Sequence, residues 1–356
     1  MATVRSPLVT TIDDAQVQRL LERAAREVEE GHLPSCQVAL GFEGQIIAAE
    51  TFGDATPDSR FCIFSATKPF VAATVWTLLA EGAVTLDTRV AEVVPGFGEN
   101  GKGGITVEQV MLHTAGFPHA PMGPPAWSTR EGRLEQMSRW RLNWEPGTAF
   151  EYHPSSAHWV LAAIMETLTE ADFRDVVQQR ITDRLGLPRI LGIPAADQDD
   201  LQDLVLVGEH ATPDELEAAF GVRELPASEV TDAVIESFNR AETREVGVPG
   251  GGGYARAVDL AVFYQHLLHD PEGIWAPEWL RRGTAEVVNT LPDPMGVPAN
   301  RALGLIVAGD DGMSHIRGLG RTVSASAFGH NGAGGQLAWA DPATGLSLGY
   351  VTNGYD

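Results

Sequence analysis

Between residues 13 and 31, Val17, Leu20, Leu21, Ala24 and Val28 recur every three or four positions among charged residues. That spacing draws one apolar stripe along a helix. The period then changes. Residues 36–42 and 45–51 alternate or run apolar on either side of Gly44, which predicts a β-hairpin. A strongly apolar helix is predicted next, from near Ser65 through Val71, Val75, Leu78 and Leu79 to Gly82. From residue 83 to 190 the chain reads as helices and loops, punctuated by Pro and Gly at 117–125 and 146–147. A glycine run at 250–253 leads into a helical stretch at 257–268, and strand-like segments at 303–308, 336–340 and 346–352 close the chain.

Strands at both ends with helices between them predict an α+β fold. The expected arrangement is an antiparallel sheet built from residues 1–64 and 251–356, flanked by helices. A mostly helical inserted domain would span 65–250, with the active site in the cleft between the two. The length of 356 residues, 44% hydrophobic and 21% charged, is ordinary for globular protein of this size. A net charge of −23 argues against nucleic acid or an anionic membrane as partner. Nearly half of that excess lies in 195–245, where fourteen acidic residues meet three arginines; the stretch reads as a solvated insertion. Cys36 and Cys62 make neither a disulfide framework nor a thiolate metal cage. Residues 1–6 open no apolar signal core, and no apolar run approaches membrane-spanning length, so the sequence predicts a soluble, cytoplasmic protein. No metal or cofactor is called for, and the oligomeric state is open.

The candidate chemistry begins with a scarcity. Of 25 cationic residues only Lys68 and Lys102 are lysine, and an amine, unlike a guanidinium, can lose its proton. Lys68 follows Ser65 by three positions at a predicted helix start, so the two side chains share a face. A buried, uncharged lysine there can take the serine hydroxyl proton and make Ser65 a nucleophile. Farther on stand Tyr152-His153-Pro154 and His330-Asn331-Gly332-Ala333-Gly334-Gly335. These three elements, in this order, resemble the serine β-lactamase and penicillin-binding-protein superfamily, with its Ser-x-x-Lys, second motif and Lys-Thr-Gly. The class C-type branch, which includes the family VIII carboxylesterases, is the most similar. Val110-Met111-Leu112-His113-Thr114-Ala115-Gly116 and the stretch from Gly252 to Leu260 resemble further segments of that family.

The resemblance implies Ser65 as the acylated nucleophile, Lys68 as its base and Tyr152 as partner base, with a phenol pKa lowered by a neighbouring cation. It implies an oxyanion hole from the backbone N–H groups of Ser65 and Ala333, beside His330, Asn331 and Gly332. Two departures bear on substrate. Pro154 stands where the family has an amide side chain, and His330 replaces a lysine that would pair with a substrate carboxylate. Both weaken anionic, amide-bearing substrates, so hydrolysis of a small neutral carboxylic ester is expected. The aromatic and Pro-rich loops make Phe117, Trp127 and His153 candidate pocket residues. The alternatives are a β-lactamase, a D-amino-acid peptidase or amidase, an acyltransferase, and a non-catalytic binding protein that keeps the fold. Ser347, in a Gly-x-Ser-x-Gly string, continues a strand and is expected to face the surface; His266 and His269 read as helix-surface residues. The resemblance also implies a final helix packed on the sheet, whereas the sequence stops at Gly354-Tyr355-Asp356.

Overall fold

The stripe at 13–31 becomes helix α1 (Asp14–Glu29), opened by Asp13, whose carboxylate accepts from the N–H groups of Ala15 and Gln16. Its apolar face lies on the sheet, with Val17, Leu21, Ala24 and Val28 against Cys36, Val38, Leu40 and Leu348. The hairpin forms as β1 (Ser35–Phe42) and β2 (Gln45–Gly53). β2 is an edge strand and half exposed, whereas β1 is interior, covered on both faces, and so reads as an almost unbroken apolar run. This computed structural model describes residues 11–224 and 231–355; residues 1–6 and positions 225–230 of the acidic stretch lie outside the described residues.

Two short pairs of strands lie apart from the main sheet. β3 (Phe61–Cys62) and β5 (Tyr254–Ala255) pair antiparallel, and β4 (Val205–Leu206) runs parallel to β10 (Gly354–Tyr355). The main sheet adds β6 (Ile306–Val307), β7 (Phe328–Gly329), β8 (Leu337–Asp341) and β9 (Leu346–Thr352), in the order β2-β1-β9-β8-β7-β6, with every neighbour antiparallel. The segment at 303–308 keeps only two strand residues. Gly304 (φ +96°) turns the chain there, and a Cβ would sit 2.3 Å from that of Ala72, so sheet geometry starts after it.

Helix α2 (Lys68–Ala80) follows one tight turn, Phe64–Thr67, and is buried on nearly every side, as its uninterrupted apolar sequence requires. It packs on α3 (Ser156–Thr169). Phe70 of α2 stacks on Phe263 of α4 (Ala257–His269), with ring centroids 3.9 Å apart. α4 covers the second face of the sheet. Gly349 makes this approach possible, because a Cβ there would lie 2.1 Å from Ala257 O. Ser347 is consequently buried rather than surface-facing, its Oγ donating to Ala261 O of α4. The acidic stretch is also less detached than its charge suggested. Leu204, Ile235 and Phe238 are buried, and Phe238 meets Phe64 edge-on at 5.6 Å. Among the described residues no helix is long and apolar enough to cross a membrane.

Candidate active site

Ser65 lies in the turn between β3 and α2, and the residue before it is held in an uncommon conformation. Phe64 adopts φ +42°, a left-handed value that a bulky side chain reaches only when its surroundings impose it. Those surroundings are the Phe238 ring and the glycine run at 250–253. Ile63 N donates to Gly253 O at 2.9 Å, and Gly253 N donates to Thr67 Oγ1 at 3.0 Å, so the glycines run alongside the serine turn and fasten it on both sides. The run does more than feed a helix, as the sequence suggested; a side chain at 250 would come within 2.9 Å of Pro154 O.

That close approach brings two carbonyls onto Lys68. Its Nζ is 3.0 Å from Ser65 Oγ, 2.7 Å from Pro154 O and 2.5 Å from Gly250 O. Burial, reinforced by the Arg301 charge, pushes the Lys68 amine well below its usual range. An uncharged amine has two N–H groups and one lone pair. The carbonyls take the former, which leaves the lone pair for the Ser65 hydroxyl.

Tyr152 completes the group. Its hydroxyl donates to Ser65 Oγ at 2.9 Å, and Lys68 Nζ stands 4.9 Å from the centre of its ring. The expectation of a phenol lowered toward neutrality is corrected here. Burial outweighs the Arg301 charge and the Ser65 hydrogen bond and pushes Tyr152 up to about 12. Tyr152 is therefore a proton donor at rest.

Four buried imidazoles surround these groups. His113 (φ +58°) accepts at Nδ1 from His153 N at 3.1 Å, and His153 Nε2 accepts from Phe117 N at 3.2 Å. His158 lies 5.9 Å from His113, ring to ring, and both its nitrogens lack a partner among the described residues. His330 is 5.8 Å from the Tyr152 ring. Burial first, then neighbouring charges including Arg301, hold His113, His158 and His330 well below the usual range; burial takes His153 to about 4. Position 330 is thus uncharged, as its residue type suggested.

Ser65, Tyr152, Arg301, His330, Asn331 and Ala333 line one cleft of about 650 Å³. Gly332 sets its floor: a Cβ there would lie 2.3 Å from Ile63 O, so only glycine lets this loop close on the serine turn. Gly334 and Gly335 instead serve backbone turning, with φ of +65° and +85°. Among the described residues, neither the Ser65 nor the Ala333 backbone N–H has an acceptor. Three expected pocket residues do not line the cleft. Phe117 is buried between Phe97 and Trp140, His153 is spent on backbone bonds, and Trp127 packs at the edge of the helical core. Aromatic loops here fill the interior, a use that composition alone does not separate from pocket lining. The sequence reading missed Arg301, which carries no motif, and the carbonyls of Pro154 and Gly250, whose roles belong to the backbone.

Comparison with known proteins bears on the family and the fold. The family model described as Beta-lactamase matches residues 17–356. The esterase/beta-lactamase LipL of Mycobacterium tuberculosis is 27% identical over 324 residues, covering 83% of this chain and 70% of that protein. A penicillin-binding-protein homologue from Caulobacter crescentus superposes with a TM-score of 0.76 at 25% identity, covering 98% of this chain and 94% of that one. A family VIII carboxylesterase superposes with a TM-score of 0.79 at 21% identity, covering 99% and 94%, and shows the shared fold. The chain belongs to the Beta-lactamase family, with the β-lactamase-like fold.

Proposed function

We propose that the protein is a serine hydrolase that cleaves carboxylic esters through an acyl-enzyme on Ser65. The observation that carries this reading is the position of Ser65 Oγ, 3.0 Å from Lys68 Nζ and 2.9 Å from the Tyr152 hydroxyl. Lys68 takes the hydroxyl proton as Ser65 Oγ forms its bond to the ester carbonyl carbon. The carbonyl oxygen becomes an oxyanion that the Ser65 and Ala333 N–H groups receive. Collapse breaks the bond to the alcohol oxygen, and the proton reaches that oxygen from Lys68 through Tyr152. Water then attacks the acyl-enzyme by the same route in reverse, releasing the acid and restoring the Ser65 hydroxyl. Esters are favoured over amides because Pro154 offers no side-chain amide to hold one. The expectation of a neutral ester rested on Pro154 and His330, of which His330 carried the charge argument; Arg301 brings a cation into the same cleft.

The test is turnover of a short-chain 4-nitrophenyl ester by the protein and by Ser65→Ala. Ester hydrolysis that Ser65→Ala abolishes, with a fluorophosphonate labelling Ser65, is the expected result. A protein that hydrolyses no ester and takes up no phosphonate is a binding protein that keeps the fold. Faster turnover of a β-lactam or a D-amino-acid amide than of any ester would reassign the substrate.

A further inference from the structure

Five arginines are buried among the described residues, and four of them answer to a carboxylate. Arg60 meets Asp200 at 2.6 Å, Arg133 meets Glu166 at 2.5 Å, Arg244 meets Asp203 at 2.6 Å and Arg317 meets Asp311 at 2.5 Å. Arg301 is the exception. Its residue is 5% exposed, its side chain has no carboxylate or hydrogen-bond acceptor among the described residues, and Nη1 is buried without a partner. In a chain with 48 acidic residues this is not for want of carboxylates.

The position is built. Arg301 N donates to Asn289 O at 3.0 Å, fixing the backbone in a short bridge before β6. The guanidinium lies 5.2 Å from the Tyr152 ring centre and 5.7 Å from that of Phe150, so aromatic faces orient it without neutralising it. Two carboxylates share the cleft and both are engaged elsewhere. Glu151 pairs with His119 at 2.8 Å, and Asp293 accepts from the N–H groups of Met295 and Val297. Burial lowers the Arg301 pKa only to about 10, so it stays charged at neutral pH. A charge kept this far from water and unpaired is costly unless something completes it. Arg301 lines the cleft that holds Ser65, one phenol ring away from the Ser65 hydroxyl.

We propose that Arg301 binds a carboxylate of the substrate, so that the ester hydrolysed here bears a free acid group a few bonds from its scissile carbonyl. This rests on the ester-hydrolase reading and narrows its substrate. A planar guanidinium receives a carboxylate through parallel N–H donors. The acid group lies on either the acyl or the alcohol side, and the two arms of the test separate these sources.

On the acyl side, mono-4-nitrophenyl glutarate is compared with its methyl ester; on the alcohol side, 4-carboxyphenyl butyrate is compared with its methyl ester. The wild type is expected to favour the free acid at least tenfold in kcat/KM in one arm, mostly through KM. Arg301→Met should bring that ratio to about one, and Arg301→Lys should retain part of it. Glutarate should inhibit neutral-ester turnover competitively in the wild type. Because that inhibition needs no variant, it stands even where Arg301→Met fails to fold. Ser65-dependent hydrolysis of neutral esters with no acid preference in either arm and no glutarate inhibition overturns the carboxylate site and leaves the hydrolase reading intact. No hydrolysis of any ester, with no phosphonate labelling, overturns both.

Discussion

Lys68 Nζ stands 3.0 Å from Ser65 Oγ, and its remaining close polar neighbours are the carbonyls of Pro154 and Gly250 rather than a carboxylate. A carboxylate there would hold the lysine charged. Two carbonyls in a buried site orient the amine without a counter-ion, and burial holds its pKa well below the usual lysine range. Lys68→Arg and Lys68→Met are therefore both expected to lower kcat/KM for an ester by roughly 10²–10⁴, since neither can accept the serine proton. An arginine variant with more than about a tenth of wild-type turnover would remove lysine from the role of base. The wild type should also keep its activity well below the usual lysine range, with an acid limb that Lys68 sets.

Tyr152 gives a separable expectation. Its phenol, pushed up to about 12 by burial, donates to Ser65 Oγ across the neutral range. Tyr152→Phe should lower kcat by roughly 10²–10³ with a small change in KM, because what is lost is proton delivery to the departing alcohol. If Tyr152 instead acts as a phenolate base, wild-type kcat climbs with pH through the neutral range in step with a phenolate absorbance near 295 nm. A flat neutral profile without that absorbance is expected.

The contact between Ser65 and Lys68 was legible because it depends on side-chain type and a three-residue interval, which a helical turn converts into proximity. The sheet was legible because hydrophobic periods of two and of three to four residues mark strands and helices directly. The Lys68 carbonyl pair was not, since every residue has a carbonyl and only the tertiary approach of Gly250 to Pro154 selects these two. Arg301 was hidden for a related reason. Twenty-three arginines look alike in sequence, and what distinguishes this one among the described residues is burial without a carboxylate beside it. Phe117 and Trp127 misled because an aromatic on a Pro-rich loop serves a core as readily as a pocket.

Gly332 tests whether the loop at 330–335 supplies the second oxyanion donor. A Cβ at 332 would overlap Ile63 O at 2.3 Å, backbone that cannot step aside. Gly332→Ala should move the Ala333 N–H away from the Ser65 turn and lower kcat by about 10²–10³, the range seen when one oxyanion donor is lost. The comparison is Gly44→Ala, at a hairpin turn with nothing within 4 Å of the added Cβ but φ of +78°. That variant should lose stability through backbone strain and keep its kcat. Comparable kcat in the two variants would mean that the loop only closes the fold.

Acid should unfold this protein through its buried histidines before its carboxylates contribute. His153 titrates near 4 when folded, and His113, His158 and His330 lie well below their ordinary value, against about 6.5 in the unfolded chain. A depressed histidine pKa means that the unfolded state binds the proton first. The stability these groups contribute is therefore complete above about pH 6.5 and is lost as pH falls toward 4. Lys68 adds to the same trend, since its amine also binds a proton more readily when unfolded. The arginine-paired carboxylates act lower: Asp311 is held near 2, so its loss starts only below about pH 4. Unfolding midpoints measured from pH 4.5 to 8 should rise most steeply up to about pH 6.5 and more slowly above it. His158→Leu, which removes an imidazole whose two nitrogens have no partner among the described residues, should flatten the acid side of that curve. A midpoint that is level between pH 5 and 7, or a slope that His158→Leu leaves unchanged, would show that the imidazoles are solvated and not held neutral by the fold.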